Sequence, residues 1–478
     1  MPQNEPILAP FDALLRAAPT KTIVSGEGRR ASASDLDALA RAAAGARTLA
    51  PPRGTLVAMA APDGPGFLAA LLALLRLGCP VVLLDAWSPA AERRRIGTAL
   101  GAAALLECTT PWPSGPSSFV WTALPTAAPA VLEDVAVVKL TSGSTGAPRG
   151  VAASAAALAA DDDDLWRTMG LADDDRLLSA VPLGHSYGLS SLTLPALRRG
   201  APLLLPTPGS PFAALDAAER DGATFFPTTP AWVGGLLRLS SPPEWPETLR
   251  LTISAGAPLS PEVASRFREA FGRPIHTFYG SSECGGICYD RAGDAAERGT
   301  VGAPVDGVRI EVVPLERGGA GKAGAVHVRS AAVCGGYWPH PDPRLEGGRF
   351  VAGDLGRWEG EELALEGRVD DLLNVHGKKV SPREVEATIR ELPGVEDVVV
   401  FGAPHAVAGH VVCAAVAADP ARLRPDEIAL HCRARLAAHK RPRGVFVLAE
   451  LPRTPRGKID RAALLSLGAP LVAADRDA

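Results

Sequence analysis

The stretch "VAVVKLTSGSTGAPRGVAASAAALAA", Val135 to Ala160, runs from a β-branched apolar segment through a glycine-, serine- and threonine-rich segment into an alanine-rich one. The apolar run reads as a strand and the alanine-rich run as a helix, so the pattern predicts strand, loop, helix. Glycines permit tight turns, and free backbone N–H groups and hydroxyls can converge on an anion there. The spacing is neither that of a Walker loop nor G-x-G-x-x-G. On composition alone, a phosphate cradle and a flexible linker are nearly equal readings.

Outward from this point, β-rich runs such as "GTLVAMA", "CPVVLLD" and "APLLLP" alternate with Ala/Leu-rich segments as far as about residue 330, which predicts α/β architecture. The greasiest segment, "FLAALLALLRLGCPVVLLDAW", is interrupted by Arg76, Gly78 and Pro80 and reads as a buried helix and strand, not a membrane span. "DDDD", Asp161 to Asp164, sits in helix-like sequence and reads as a solvated helix face. After "GRVDD" the texture changes. "SPRE", Ser381 to Glu384, predicts a capping box with proline in the first turn, followed by Val385, Ile389 and Leu392 on one face. Two strands, an amphipathic helix, a short strand and a final helix are expected beyond it. The fold class is therefore α/β, with a large multi-subdomain N-terminal domain of mixed sheets and helices over residues 1–369 and a small α+β C-terminal domain over 370–478.

The chain has 478 residues, beyond the size at which one hydrophobic core stops growing. A formal charge of −4 gives no global attraction to nucleic acid or anionic membranes. Seven cysteines without a CxxC pair fit a reducing compartment, and the expected location is the cytoplasm. Cys284 and Cys288 could share a helix face, but no histidine cluster completes a zinc site. The N-terminal "MPQNEPILAP" lacks the pattern of a secretory signal.

Several stretches could carry chemistry. "GHSYG", Gly184 to Gly188, meets the G-x-S-x-G pattern and makes a serine hydrolase with Ser186 as nucleophile a rival reading. "FYGSSECGG" offers Tyr279 and Glu283, and a carboxylate beside a phosphate loop can hold Mg²⁺. "FVAGDLGRW", "GRVDDLLNVHGKKVSPREVE" and "LPRTPRGKIDRAAL" carry Asp354, Arg368, Asp370 and Lys458. Each alone suits an ordinary surface or turn.

Taken in order, T-S-G-S-T-G-x-P, P-L-x-H-x-x-G, Y-G-x-S-E, G-D-L, G-R-x-D-D and P-R-T-x-x-G-K-I resemble the acyl-adenylate-forming superfamily, which includes acyl- and aryl-CoA ligases and stand-alone adenylation enzymes. The resemblance implies ATP-dependent conversion of a carboxylic acid to acyl-AMP and pyrophosphate, then transfer to a thiol. Coenzyme A is the implied acceptor, with the phosphopantetheine thiol of an acyl carrier protein as the alternative; a binding module without catalysis is a further one. It implies that Thr141, Ser142, Gly143, Ser144, Thr145, Gly146 and Arg149 address the phosphates, that Glu283 binds Mg²⁺, and that Ser282 meets the α-phosphate. Gly256, Ala257, Pro258 and Tyr279 match the adenine pocket, and Asp354 and Arg368 the ribose contacts. His185, Gly188, Gly280, Gly285 and Gly286 match the acyl pocket. Lys458 matches the lysine bridging carboxylate and ATP. The small domain is implied to be mobile about a hinge at Asp370, with Gly377 and Lys378 facing the thiol tunnel. Arg149 stands where the family usually has lysine, Ser282 where threonine is commoner, and Ala352 where threonine is usual. With no carboxylate in the "HSYG" region to pair an ammonium, a neutral aryl or aliphatic acid is the expected substrate, with no nucleic-acid partner.

Overall fold

The computed structural model describes residues 3–46, 51–141, 148–207, 212–314, 323–369, 373–375, 378–405, 409–436, 438–453, 459–460 and 462–467. The chain is a mixed α/β protein of two compact units. One comprises Met1–Glu311, His327–Val351 and Glu359–Leu363; the smaller comprises Val312–Val326, Ala352–Trp358 and Ala364–Ala478.

Two sheets organise the larger unit. In the first, Val137–Thr141, Val81–Leu84, Val57–Ala60 and Ala104–Cys108 run parallel, flanked by antiparallel strands. The second has nine strands, with His276–Ser281, Leu251–Ser254 and Phe225–Thr228 parallel at its centre. The greasy segment divides as expected. Pro65–Leu77 is a helix with proline in its first turn, ended by Gly78 at φ 70°, a left-handed cap that glycine adopts without penalty. Pro65 through Leu75 are all buried, as befits a helix apolar on every side. Val81–Leu84 then forms a central strand. Among the described residues no helix is long and apolar enough to cross a membrane.

Between Val135 and Ala160 the structure corrects the strand, loop, helix expectation. Val137–Thr141 pairs antiparallel with a second strand, Arg149–Ala153, in register from Val137 opposite Ala153 to Thr141 opposite Arg149. A Cβ on Gly150 would lie 2.4 Å from Val138 Cγ1, so the glycine serves close strand pairing and does not open a helix. The helix begins at Ala155, where Ser154 Oγ accepts the Ala157 N–H at 3.1 Å, satisfying one of the orphan donors of its first turn.

The aspartate run is also corrected. Asp161 and Asp162 are buried; Asp162 meets the Arg198 and Arg199 guanidiniums, and Asp163 also bonds Arg198 at 2.9 Å. These partners are over thirty residues away, so local sequence could not show them. Cys284 and Cys288 share no helix: Cys288 lies on the strand Gly285–Tyr289, and both are buried.

The smaller unit contains an antiparallel pair, Asp397–His405 with Gly409–Ala417, and Gly444–Leu448 parallel to the latter. Val385 and Ile389 from the helix Pro382–Arg390, and Ile428 and Cys432 from Pro425–Arg435, bury against Val398 and Val412. The apolar periodicity is thus realised. The capping box is not: Ser381 makes no side-chain cap, because its hydroxyl points to the Glu366 carbonyl at 3.5 Å.

Candidate active site

A cavity of about 560 Å³ opens in the larger unit. Its walls come from residues just beyond the carboxyl ends of parallel strands: Asp63 after Val57–Ala60, Asp85 after Val81–Leu84, Gly256 after Leu251–Ser254, and Ser282 after His276–Ser281. That is where sheets of parallel strands present turns and unpaired backbone donors to ligands.

The "GHSYG" turn forms one wall. His185 is exposed and immediately precedes the short helical turn Ser186–Gly188, which a π-helical turn, Leu189–Thr193, continues. Ser186 Oγ lies 2.7 Å from Ser282 Oγ, and the Tyr187 hydroxyl donates to the Thr228 and Ile253 carbonyls at 3.2 and 3.3 Å. The turn is therefore clamped to neighbouring strand ends. A hydrolytic serine would need a base at its hydroxyl, and the described partner here is another hydroxyl.

Of the expected acyl-pocket glycines, Gly280 and Gly285 line the cavity. Gly188 and Gly286 do not line it and are packing positions: a Cβ would fall 2.0 Å from the Pro182 carbonyl oxygen and 2.6 Å from Leu165 Cδ2, respectively. Gly285 has φ 70°, and its Cβ would lie 2.1 Å from Asp161 Oδ1. That same oxygen accepts the Gly286 N–H at 2.9 Å, while Ser190, also on the cavity wall, donates to Asp161 Oδ2. Burial pushes the Asp161 carboxyl up, opposed by the Ser190, Gly286 and Lys139 interactions. The buried aspartate thus supports the cavity floor.

Glu283 sits in the hairpin turn after His276–Ser281. Its carboxylate accepts hydrogen bonds from the Ser281 hydroxyl and, at 2.8 Å, from the Tyr337 hydroxyl. Among the described residues no group of three His, Cys, Asp or Glu could hold a metal, so an all-protein cage is absent there. One carboxylate with unused lone pairs does fit Mg²⁺, which takes most of its ligands from phosphates and water. Arg149 pairs with Asp342 at 3.1 Å and lies 3.7 Å above the Tyr337 ring centroid. Thr141, paired with Arg149, donates its hydroxyl to the Arg149 carbonyl at 3.3 Å.

Gly256, at φ 86°, lines the cavity, with Ala257 and Pro258 exposed beside it. Tyr279 lies on the strand opposite Cys288. In the smaller unit, Asp354 lies on the strand Arg349–Glu359, and a Cβ on the adjacent Gly353 would lie 2.5 Å from Arg368 Nη2. Lys378 starts the strand Lys378–Val380. Ser142, Gly143, Ser144, Thr145, Gly146, Asp370, Gly377 and Lys458 lie outside the described residues.

Asp63, Asp85 and Trp87 are among the cavity residues missed from sequence. The absence of a carboxylate near "HSYG" holds only along the chain, because Asp63 Oδ1 accepts the Leu183 N–H at 3.0 Å. Burial, with a smaller push from the Asp85 charge, raises Asp63 to about 6 against the Leu183 hydrogen bond. Two strand-terminal aspartates twenty-two residues apart give no local motif; the parallel pairing of their strands brings them together.

The family of AMP-binding enzymes matches residues 11–338, and its C-terminal domain matches 384–458. The chain belongs to that family. By class it is an AMP-forming acid–thiol ligase. It is 32% identical over 344 residues to a feruloyl-CoA synthase from Amycolatopsis, covering 69% of each chain. It is 30% identical to the 2-succinylbenzoate–CoA ligase of Geobacillus kaustophilus, over 70% of each. Among solved structures, ATP-bound MatB from Rhodopseudomonas palustris superposes with TM-score 0.80 at 25% identity, over 99% of this chain and all of that one. The amide bond synthetase McbA from Marinactinospora thermotolerans gives 0.78 at 27%, over 96% and 99%.

Proposed function

We propose that the protein joins a neutral aryl or aliphatic carboxylic acid to coenzyme A through an acyl-adenylate. The observation that carries this reading is the convergence of His185, Gly256, Gly280 and Ser282 on one cavity, with Glu283 one residue beyond Ser282. In the first step a carboxylate oxygen bonds to the α-phosphorus of ATP and the bond to pyrophosphate breaks. In the second, the thiol sulfur bonds to the acyl carbon and AMP departs.

The difficulty of the first step is that two anions must meet, so fixed donors are needed where charge develops; loss of one such donor typically costs about 2.7–4 kcal/mol. Ser282 supplies a hydroxyl toward the α-phosphate. Arg149 and the stretch Thr141 to Gly146 address the outer phosphates, and Glu283 holds Mg²⁺, which supplies positive charge there. Gly256, Ala257, Pro258 and Tyr279 receive adenine, and Asp354 and Arg368 the ribose. Lys458 bridges carboxylate and phosphate, and the segment 370–478 turns about Asp370 to bring Gly377 and Lys378 to the thiol. Asp63 and Asp85 on the cavity wall disfavour an acid with a second negative charge.

The test is pyrophosphate release from ATP and Mg²⁺ across matched aryl and aliphatic acids carrying a neutral, anionic or ammonium substituent, each with and without coenzyme A. Repeated turnover only with coenzyme A, fastest for neutral acids, is the expected result. A single equivalent of pyrophosphate in both arms would redirect the acceptor to a carrier-protein thiol. Preference for the ammonium-bearing acids would replace the neutral substrate with one paired by Asp63. No release with any acid would refute the ligase reading.

A further inference from the structure

Tyr337 has no role in the assignments above, yet it touches two of the charged groups they use. It lies on the short strand Gly336–Trp338, which pairs antiparallel with Arg149–Ala153, Tyr337 opposite Val151 and Trp338 opposite Gly150. That register sets Tyr337 diagonally across from Arg149, within reach of long side chains. The Tyr337 hydroxyl donates to Glu283 Oε1 at 2.8 Å, and its ring lies 3.7 Å beneath the Arg149 guanidinium carbon. We propose that Tyr337 is a positioning residue that holds the metal-binding carboxylate and the phosphate-binding guanidinium in fixed relation. The inference rests on the proposed roles of Arg149 and Glu283.

Each contact constrains one charge while leaving it usable. A carboxylate offers about four lone-pair directions, and Tyr337 and Ser281 take one on each oxygen of Glu283. The carboxylate is therefore fixed in rotation with lone pairs remaining for a cation.

A guanidinium is planar, so resting its face on an aromatic ring leaves its edge N–H groups for anions. Asp342 takes one of these through Nη2, while Nε is buried and has no hydrogen-bond partner among the described residues. Asp342 is itself held by the Arg344 side chain at 2.8 Å and the Arg344 backbone N–H at 2.9 Å. Those bonds keep its carboxyl well below the usual range. Arginine at this position is thus seated by a ring and a carboxylate together. A lysine ammonium could keep the ion pair but presents no flat face.

The test separates the two contacts by binding, without acid substrate and so without turnover. Calorimetry would measure ATP binding at graded Mg²⁺ and inorganic pyrophosphate binding in excess EDTA. Tyr337→Phe removes only the hydroxyl; the Mg²⁺ needed for half-maximal ATP binding should rise about tenfold, with pyrophosphate binding within about twofold of wild type. Tyr337→Leu removes the ring as well and should weaken pyrophosphate binding about tenfold. Arg149→Lys, which leaves Tyr337 in place and serves if the leucine variant does not fold, should weaken pyrophosphate binding similarly without moving the Mg²⁺ requirement. Equal movement of both measurements in the phenylalanine variant, or unmoved values in all variants, would overturn the proposal while the wild-type protein still binds ATP. Failure of the wild-type protein to bind ATP would instead remove the phosphate-site assignment and this inference with it.

Discussion

Asp63 allows a quantitative test, because its environment makes it a stability cost at neutral pH. Its ordinary pKa of 3.8 is raised to about 6 in the fold, so the folded protein keeps a proton that the unfolded chain has released. Between those values the unfolded state binds fewer protons, and stability must fall as pH rises. At pH 7.5 the full displacement amounts to about 3 kcal/mol, and at pH 5 to roughly half of that. Asp63→Asn removes the charge but keeps a side-chain oxygen for the Leu183 N–H. The variant should therefore be more stable than wild type by up to about 3 kcal/mol at pH 7.5, with the advantage shrinking to roughly half of that at pH 5. Urea denaturation of both proteins at the two pH values, monitored by tryptophan fluorescence, measures the difference. An advantage that does not depend on pH, or a loss of stability at pH 7.5, would refute the reasoning that burial and Asp85 strain this carboxylate.

Gly285→Ala places a Cβ against Asp161 at positive φ and should destabilise by about 3 kcal/mol in denaturant titration, combining left-handed backbone strain with a lost charged hydrogen bond; Asp161→Ala should relieve part of that cost when added to it. Arg198→Ala strips Asp162 of one of its two guanidinium partners and should cost about 3 kcal/mol by the same measurement. Ser186→Ala should leave turnover largely intact, with no fluorophosphonate labelling of the wild-type protein; abolished turnover together with wild-type labelling would restore the hydrolase reading. Lys458→Ala should suppress pyrophosphate release far more than transfer from supplied acyl-AMP, and equal losses would remove its bridging role.

Local patterns were most legible where one element's own chemistry decides it. The helix Pro65–Leu77 and strand Val81–Leu84 followed from an apolar run cut by Gly78 and Pro80, and Val385 with Ile389 marked a buried helix face. Errors came where a distant partner decides. "RGVAA" reads as the approach to a helix until Val138 is seen against Gly150. Asp161 and Asp162 read as solvated until Gly286, Ser190, Arg198 and Arg199 are seen to satisfy them. At the cavity, turn motifs pointed to His185, Gly256 and Ser282, but Asp63 and Asp85 follow ordinary strands and became visible only when those strands paired.

The second strand, Arg149–Ala153, which stands between the expected strand and the helix from Ala155, constrains how this region can vary. Five consecutive residue pairs, from Val137 with Ala153 to Thr141 with Arg149, fix the alignment outside residues 142–148. A one-residue slip in a strand would turn every side chain to the opposite face, carrying Arg149 away from Tyr337. Any exchange of the segment between Thr141 and Arg149 must therefore preserve this register if the arginine is to stay over the Tyr337 ring.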